Sequence, residues 1–200
     1  MLRPTSDALI DGETFVQFTL DGVEAPGVRL VECELRSGTV IGGDLAGSLW
    51  RGSRLERLRL VGAGLSRSLW TDVELTGCAL SGCELYGAQL RRVRFTDCVL
   101  DSVNLRGAVL RELVFEDCQV RDLDLGSAQL DDVRWSGSRI ERLDLSAARL
   151  SGVDLRGATV DIARGLDRLR GAIVDHGQLF DLAPALAAHL GLSVRGRDEP

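Results

Sequence analysis

A five-residue rhythm constrains this chain more than any other feature. At every fifth position from Ile10 to Val160 the residue is apolar, including Phe15, Leu30, Trp50, Trp70, Phe95, Leu105, Phe115, Trp135 and Leu155. A chain that is 44% hydrophobic does not produce a run of about thirty such positions by chance. A second column lies two residues earlier, from Phe18 to Ala158. It holds no charge and is mostly small residues. The other three positions of each five carry essentially all the Arg, Asp and Glu.

A period of five matches neither an amphipathic helix at 3.6 nor a flat strand at 2.0. It matches a coil that turns a corner every five residues, with a large and a small residue inward and three outward. A left-handed hexapeptide β-helix needs a period of six and is excluded. Gly recurs after the central position, as at Gly47, Gly52, Gly62, Gly77, Gly82, Gly87 and Gly107, where a corner needs a tight turn.

Stretches such as Val103-Asn104-Leu105-Arg106-Gly107 and Val153-Asp154-Leu155-Arg156-Gly157 resemble the Ala-Asp/Asn-Leu-x-x motif of the pentapeptide-repeat family. The resemblance spans about three-quarters of the chain. It implies an all-β fold: a right-handed quadrilateral β-helix with four repeats per coil. Seven to eight coils at ~4.8 Å would make a rod of about 36 Å. Residues twenty apart would then stack, Trp50 under Trp70 and Phe95, Phe115 and Trp135 in one column. All five cysteines, Cys33, Cys78, Cys83, Cys98 and Cys118, fall in the inward small-residue column. That spacing is not a metal pattern and suits buried filler, with Cys78, Cys98 and Cys118 as a ladder.

The β-helix is expected over residues 1–162, including a lead-in of about twelve residues, and a cap over 163–200. In the cap, Leu169 to Ala172 echo the repeat once more, after an irregular link from Ala163 to Asp167. A helix is expected at about 178–190, divided at Pro184 and closed by Gly191. Residues 195–200 read as a frayed tail. The N-terminus lacks a basic, apolar signal segment, and no apolar run reaches about eighteen residues, so a cytoplasmic protein without a membrane span is expected.

No catalytic constellation, cofactor loop or metal pattern is expected. The two histidines, His176 and His189, lie in the cap, and the glycines follow the repeat rather than a phosphate-binding motif. With a net charge of −6, direct nucleic-acid binding is not expected.

Within the family, the chain is similar to the mycobacterial fluoroquinolone-resistance type. It shares a Leu-Arg-Gly-Ala-Thr-Val-Asp stretch at Leu155 to Asp161 and a helix end at Ala187-Ala188-His189-Leu190-Gly191. That similarity implies a homodimer formed through the C-terminal helix, with Leu179, Phe180, Leu182, Leu186 and Leu190 as dimer or capping residues. It also implies a rod that mimics DNA and occupies the DNA-binding saddle of DNA gyrase.

The candidate partner-binding surface is the most acidic side, where Glu24, Asp44, Glu84, Asp124 and Asp144 would form a stripe broken at Gly64 and Asn104. Residues 1–160 hold 24 acids and 19 arginines, a net of −5. Duplex DNA of the rod's length carries roughly twenty negative charges, so any mimicry belongs to the stripe and not to the whole surface. The alternative is a rigid scaffold for another protein, for which Ile41, Val61, Ala79 and Val99 form a modest apolar strip.

The register itself is testable. Leu105→Asp places a charge among the inward residues and should abolish soluble expression or lower the melting temperature sharply; an unchanged melting curve would refute the register.

Overall fold

In the computed structural model, residues 3–195 are described. Apart from Arg195, the expected frayed tail lies outside them. The chain forms a parallel β-solenoid of about eight turns followed by one helix. Each turn takes twenty residues, so Leu9 pairs with Arg29, Leu49 with Leu69, and Gln129 with Arg149.

Four faces result. The first is centred on Ile10, Leu30, Trp50, Trp70, Leu90, Leu110, Leu130 and Leu150. The second follows five residues later, from Phe15 to Leu155, the third runs from Leu20 to Val160, and the fourth from Ala25 to Leu145. The first two share one sheet, because the strands Leu69–Thr76 and Gln89–Thr96 continue around the corner between them. The fourth face is mostly single bridges and turns.

Centre and small-residue columns fill the interior as the period requires, with Leu55, Leu65, Leu75, Leu110 and Phe115 fully buried. Burying each such side chain contributes roughly 1.5–3 kcal/mol. The aromatic columns stack as expected. Trp50 and Trp70 have ring centroids 5.2 Å apart; Phe95, Phe115 and Trp135 follow at 4.7 and 3.8 Å, nearly coplanar.

The small column has its own chemistry. Ser48 and Ser68 accept hydrogen bonds from the indole N–H of Trp50 and Trp70, both at 2.9 Å. Trp50 and Trp70 thus each have an acceptor two residues before them, whereas Trp135 has Val133 at that position. The five cysteines are buried and unpaired. Like the hydroxyls of Ser53 and Ser138, their thiols donate to carbonyls of their own rung and the rung below, as Cys98 does to Thr96 and Leu75. Thiol and hydroxyl are interchangeable rung ties here. Size is matched along the column too. A Cβ on Gly38 would lie 2.3 Å from the Phe18 ring beneath it, so the largest member of the column is followed by the smallest.

The corners show what the glycines only hinted at. Two residues after nearly every centre, Asp122 and Arg142 being exceptions, the backbone takes positive φ whether or not Gly is present. Fourteen other residues, from Gln17 to Ala147, sit there at φ between 51° and 59°. That conformation costs an L-residue about 1–2 kcal/mol. In return its N–H meets a carbonyl of the next rung, as Glu32 meets Arg51 at 2.8 Å and Arg57 meets Thr76 at 2.9 Å.

Both ends differ in detail from the sequence expectation. Strand Leu9–Asp11 already pairs within the stack, inside the expected lead-in. At the far end the last strand runs over Thr159–Arg164, with its pairing to Arg139–Asp144 shifted by bulges. A 3-10 turn over Leu166–Leu169 follows, and Ile173 bridges Asp154, so the echo of the repeat does add a last pairing.

Helix α1 spans His176–His189, beginning two residues earlier than expected. Asp175 caps it: its carboxylate accepts from the Gln178 N–H while the Gln178 side chain accepts from the Asp175 N–H, a reciprocal capping box. The expected division at Pro184 does not occur; the helix runs through it. The carbonyl that Pro184 leaves without an i+4 donor belongs to Phe180, which is 78% exposed and so lies on the outer side of the helix. Gly191 closes the helix at φ 71°, with its N–H on Ala188 and that of Leu192 on Ala187, a Schellman motif.

Ala147→Gly relieves a positive φ of 58° and should raise unfolding stability by about 1 kcal/mol. Gly62→Ala, at φ +64° with open space around its Cβ, should lower it by a similar amount. Urea denaturation of the two variants measures both, and shifts of the same sign would contradict the corner geometry.

Candidate functional site

The fourth face brings the expected acidic residues into register. Glu24, Asp44, Gly64, Glu84 and Asn104 are joined by successive parallel bridges, and Asn104, Asp124 and Asp144 continue the line. The side chains therefore follow one another at the rung spacing of ~4.8 Å.

Their roles differ along the line. Asp44, Asp124 and Asp144 each turn one oxygen back to accept the backbone N–H two residues on, from Ala46, Gly126 and Ser146, all at 2.8 Å. Asn104 does the same for Arg106 at 3.0 Å. These side chains hold the turn that makes the fourth face, which explains Asp and Asn at that position.

Charge is left over mainly at the N-terminal half. Among the described residues Glu24, Asp44 and Glu84 form no ion pair, although Glu84 accepts from the Asn104 amide at 2.6 Å. Asp124 meets Arg106 at 3.2 Å and Asp144 meets Arg164 at 3.8 Å.

Burial pushes the Asp144 carboxyl up, but hydrogen bonds from Ser146 and the charge of Arg164 outweigh it and hold the group below the usual carboxylate range. On the neighbouring rung of the second face, bidentate hydrogen bonds from Arg156 hold Asp154 down as well.

One residue on the acidic face escaped the sequence reading. Tyr86 projects from it 56% exposed, two residues after Glu84 and close to Gly107 on the next rung. In the same column Ala46, Ser66, Gly126 and Ser146 are small, and Arg106 stands on the rung directly after Tyr86. The signal was available, since Tyr86 is the sole tyrosine and holds an outward register position.

The other faces carry different chemistry. On the second, acids and arginines interleave and pair, as Arg36 with Glu34 at 2.7 Å, Arg54 with Glu74 at 3.2 Å and Arg94 with Glu116 at 3.3 Å. Exposed pairs of this kind add little stability but neutralise the surface. On the third, Ile41 and Val61 are about 40% exposed, with Ala79 and Val99 half-buried beside them.

The cap divides the expected helix residues in two. Leu182 is buried and Leu186 half-buried, while Leu179, Phe180 and Leu190 are exposed, as are Leu192 and Val194 after the helix. The Gln178 amide pins the helix to the carbonyls of Leu155 and Ala158. Among the described residues no group of three or more His, Cys, Asp or Glu is placed to hold a metal, and no helix is long and apolar enough to cross a membrane.

With the twenty-residue turn and its inward columns established, comparison adds a family. The sequence model for the pentapeptide repeat region matches residues 68–145 and 92–164. The chain is a pentapeptide-repeat protein.

One solved structure agrees on the fold. A trypsin-treated variant of QnrB1, a plasmid-mediated fluoroquinolone resistance protein, is similar with TM-score 0.52 and 18% identity, covering 98% of this chain and 96% of that one. HetL, a pentapeptide repeat protein involved in heterocyst differentiation regulation from the cyanobacterium Nostoc sp. strain PCC 7120, is 20% identical over 88% of this chain and 92% of that one, with TM-score 0.28. Among curated proteins nothing matches.

The turn-holding role of the acidic line makes its pH dependence predictable. A carboxylate held below its ordinary value stabilises the fold fully above about pH 4 and loses that contribution as pH falls through the folded value. Asp144→Asn should therefore be less stable than the parent at pH 7, by a margin that narrows as the pH is lowered from 4 to 3. Asp144→Ala, which also removes the acceptor for Ser146, should lose about 0.5–1.5 kcal/mol more than the Asn variant at pH 7. Urea unfolding at these pH values checks both.

Proposed function

We propose that this pentapeptide-repeat protein acts without catalysis as a DNA mimic that binds DNA gyrase or a related type II topoisomerase through its fourth face. It would inhibit the enzyme or protect it from quinolone-like drugs or toxins. The observation that carries this reading is the in-register column of carboxylates, of which Glu24, Asp44 and Glu84 are free of arginine partners. Broken at Gly64 and Asn104, the column sets its carboxylates one or two rungs apart, ~4.8 or ~9.6 Å, a sparser line of negative charge than a phosphate strand at ~3.4 Å but of the same direction and sign. The likeness in fold to a fluoroquinolone resistance protein supports the same direction.

The cap supports a homodimer within this reading. Leu179, Phe180 and Leu190 form an apolar surface at the end of the rod that a second copy would cover, doubling the length of acidic face presented. Phe180→Ser with Leu190→Ser should convert a species of about twice 21.6 kDa to one of 21.6 kDa in light scattering, whereas a wild-type monomer would sink the dimer.

A second reading, a scaffold for a different protein partner, is favoured by the exposed Ile41 and Val61 of the third face. Charge separates the two. Replacing Asp44, Glu84, Asp124 and Asp144 with Asn removes the charge, while at the three Asp positions it keeps an oxygen to accept the turn N–H, as Asn104 already does. In a gyrase supercoiling assay, with and without a fluoroquinolone, the native protein should inhibit at micromolar concentration or lower and the four-Asn variant should not. A native protein without effect on its host's gyrase rejects mimicry in favour of the scaffold.

A further inference from the structure

We propose that the first face is a second docking surface, built to hold an extended acidic segment of a partner protein. Between the outward columns on either side of the central residues runs a groove, formed by two adjoining hollows of about 330 and 290 Å³ that share Val109 and Arg111. One wall is mostly apolar, with Leu69 39% exposed, Leu49 and Val109 half-buried and Gln89 the polar member between them. The other carries Arg51, Thr71, Arg91 and Arg111, the three arginines exposed, and passes to Asp131 at the far end of the second hollow.

These guanidinium groups contrast with those of the second face. Among the described residues Arg51 and Arg111 have no carboxylate partner, and Arg91 has one at 3.6 Å, to Glu112. Over the stretch Arg51 to Arg111, positive charge with only one ion pair, opposite a mostly apolar wall, selects a ligand with carboxylates on one edge and apolar side chains on the other.

An extended peptide has that form, because alternate side chains point to opposite edges. Arg51, Arg91 and Arg111 stand at ~0, ~10 and ~14 Å along the rod, with Thr71 on the rung between the first two. Carboxylates at i, i+2 and i+4 of an extended chain, at ~0, ~7 and ~14 Å, meet the outer two and leave the middle one to the reach of the long Arg91 side chain.

Nucleic acid fits worse. The column just outside the arginines holds Glu32, Asp72, Glu112 and Asp132, and a polyanion wider than the groove would meet them. Arg92, in that same column, is engaged by Asp72 at 2.6 Å. A phosphate backbone would also leave the Leu49, Leu69 and Val109 wall uncovered.

The test uses a fluorescein-labelled seven-residue peptide of alternating Glu and Leu, read by fluorescence anisotropy against the full chain. The expected result is saturable binding that weakens as salt rises. Affinity should fall at least tenfold in the folded R51E/R91E/R111E variant and severalfold in Leu69→Ser, with melting curves confirming the fold. The proposal is overturned if the Glu-Leu peptide shows no saturable binding, if a Lys-Leu peptide binds equally, or if affinity is indifferent to salt. A single-stranded oligonucleotide binding in preference to the peptide would overturn it also. Should the triple variant fail to fold, the salt dependence and the Lys-Leu comparison still decide.

Discussion

Everything in this molecule depends on parallel stacking in strict register, one residue above its counterpart twenty earlier. The rung-to-rung hydrogen bonds tie the N–H groups of most corners and strands to the turn above or below. They leave little freedom in where a side chain may go, because its neighbour is chosen by the period. Inside, this forces size matching, and Gly38 above the Phe18 ring shows how tightly. Outside, the same rule turns a choice of residue at one position into a column along the rod.

The columns give the four sides distinct characters from one repeating unit. Opposite charges that alternate along the second face cancel locally, as Arg54 does with Glu34 and Glu74 on adjacent rungs. Like charges along the fourth accumulate instead. At Asp44, Asp124 and Asp144 the carboxylate also holds a turn, so there the charge accompanies a structural task. That coupling explains why the line tolerates Asn104, which performs the task without the charge. It also locates the charge free for a partner in the N-terminal half, where no arginine reaches it.

Most of the architecture was legible from spacing alone, because inward position and residue size follow the period directly. The Trp50 and Trp70 pair, the Phe95 to Trp135 column and the cysteine ladder could be named by counting in twenties. What could not be counted was backbone conformation. Arg57, Asp117 and Ala147 carry no glycine-like signal, yet all adopt positive φ, because the corner is imposed by the rungs on either side. Pro184 misled for the opposite reason: its helix-breaking effect depends on whether the orphaned carbonyl is buried, and Phe180 is not. The acidic line was visible as a column, but its inward-turned oxygens were not, since hydrogen bonding to a turn leaves no mark on composition.

The two ends of the solenoid are not finished alike. At the C-terminal end a capped helix, fastened by Gln178, lies over the last rung and shields Leu155 and Ala158. At the other, Ile10, Phe15 and Leu20 are only half-buried, and the chain before them adds a short cover. In a quasi-one-dimensional stack each turn is stabilised only by its neighbours. Such a rod has a direction in which it comes apart. Pulled or warmed, it should peel from the N-terminal turn, surrendering Glu24 and Asp44 while Asp124 and Asp144 are still held, so its least protected turns are also those with the most unpaired negative charge.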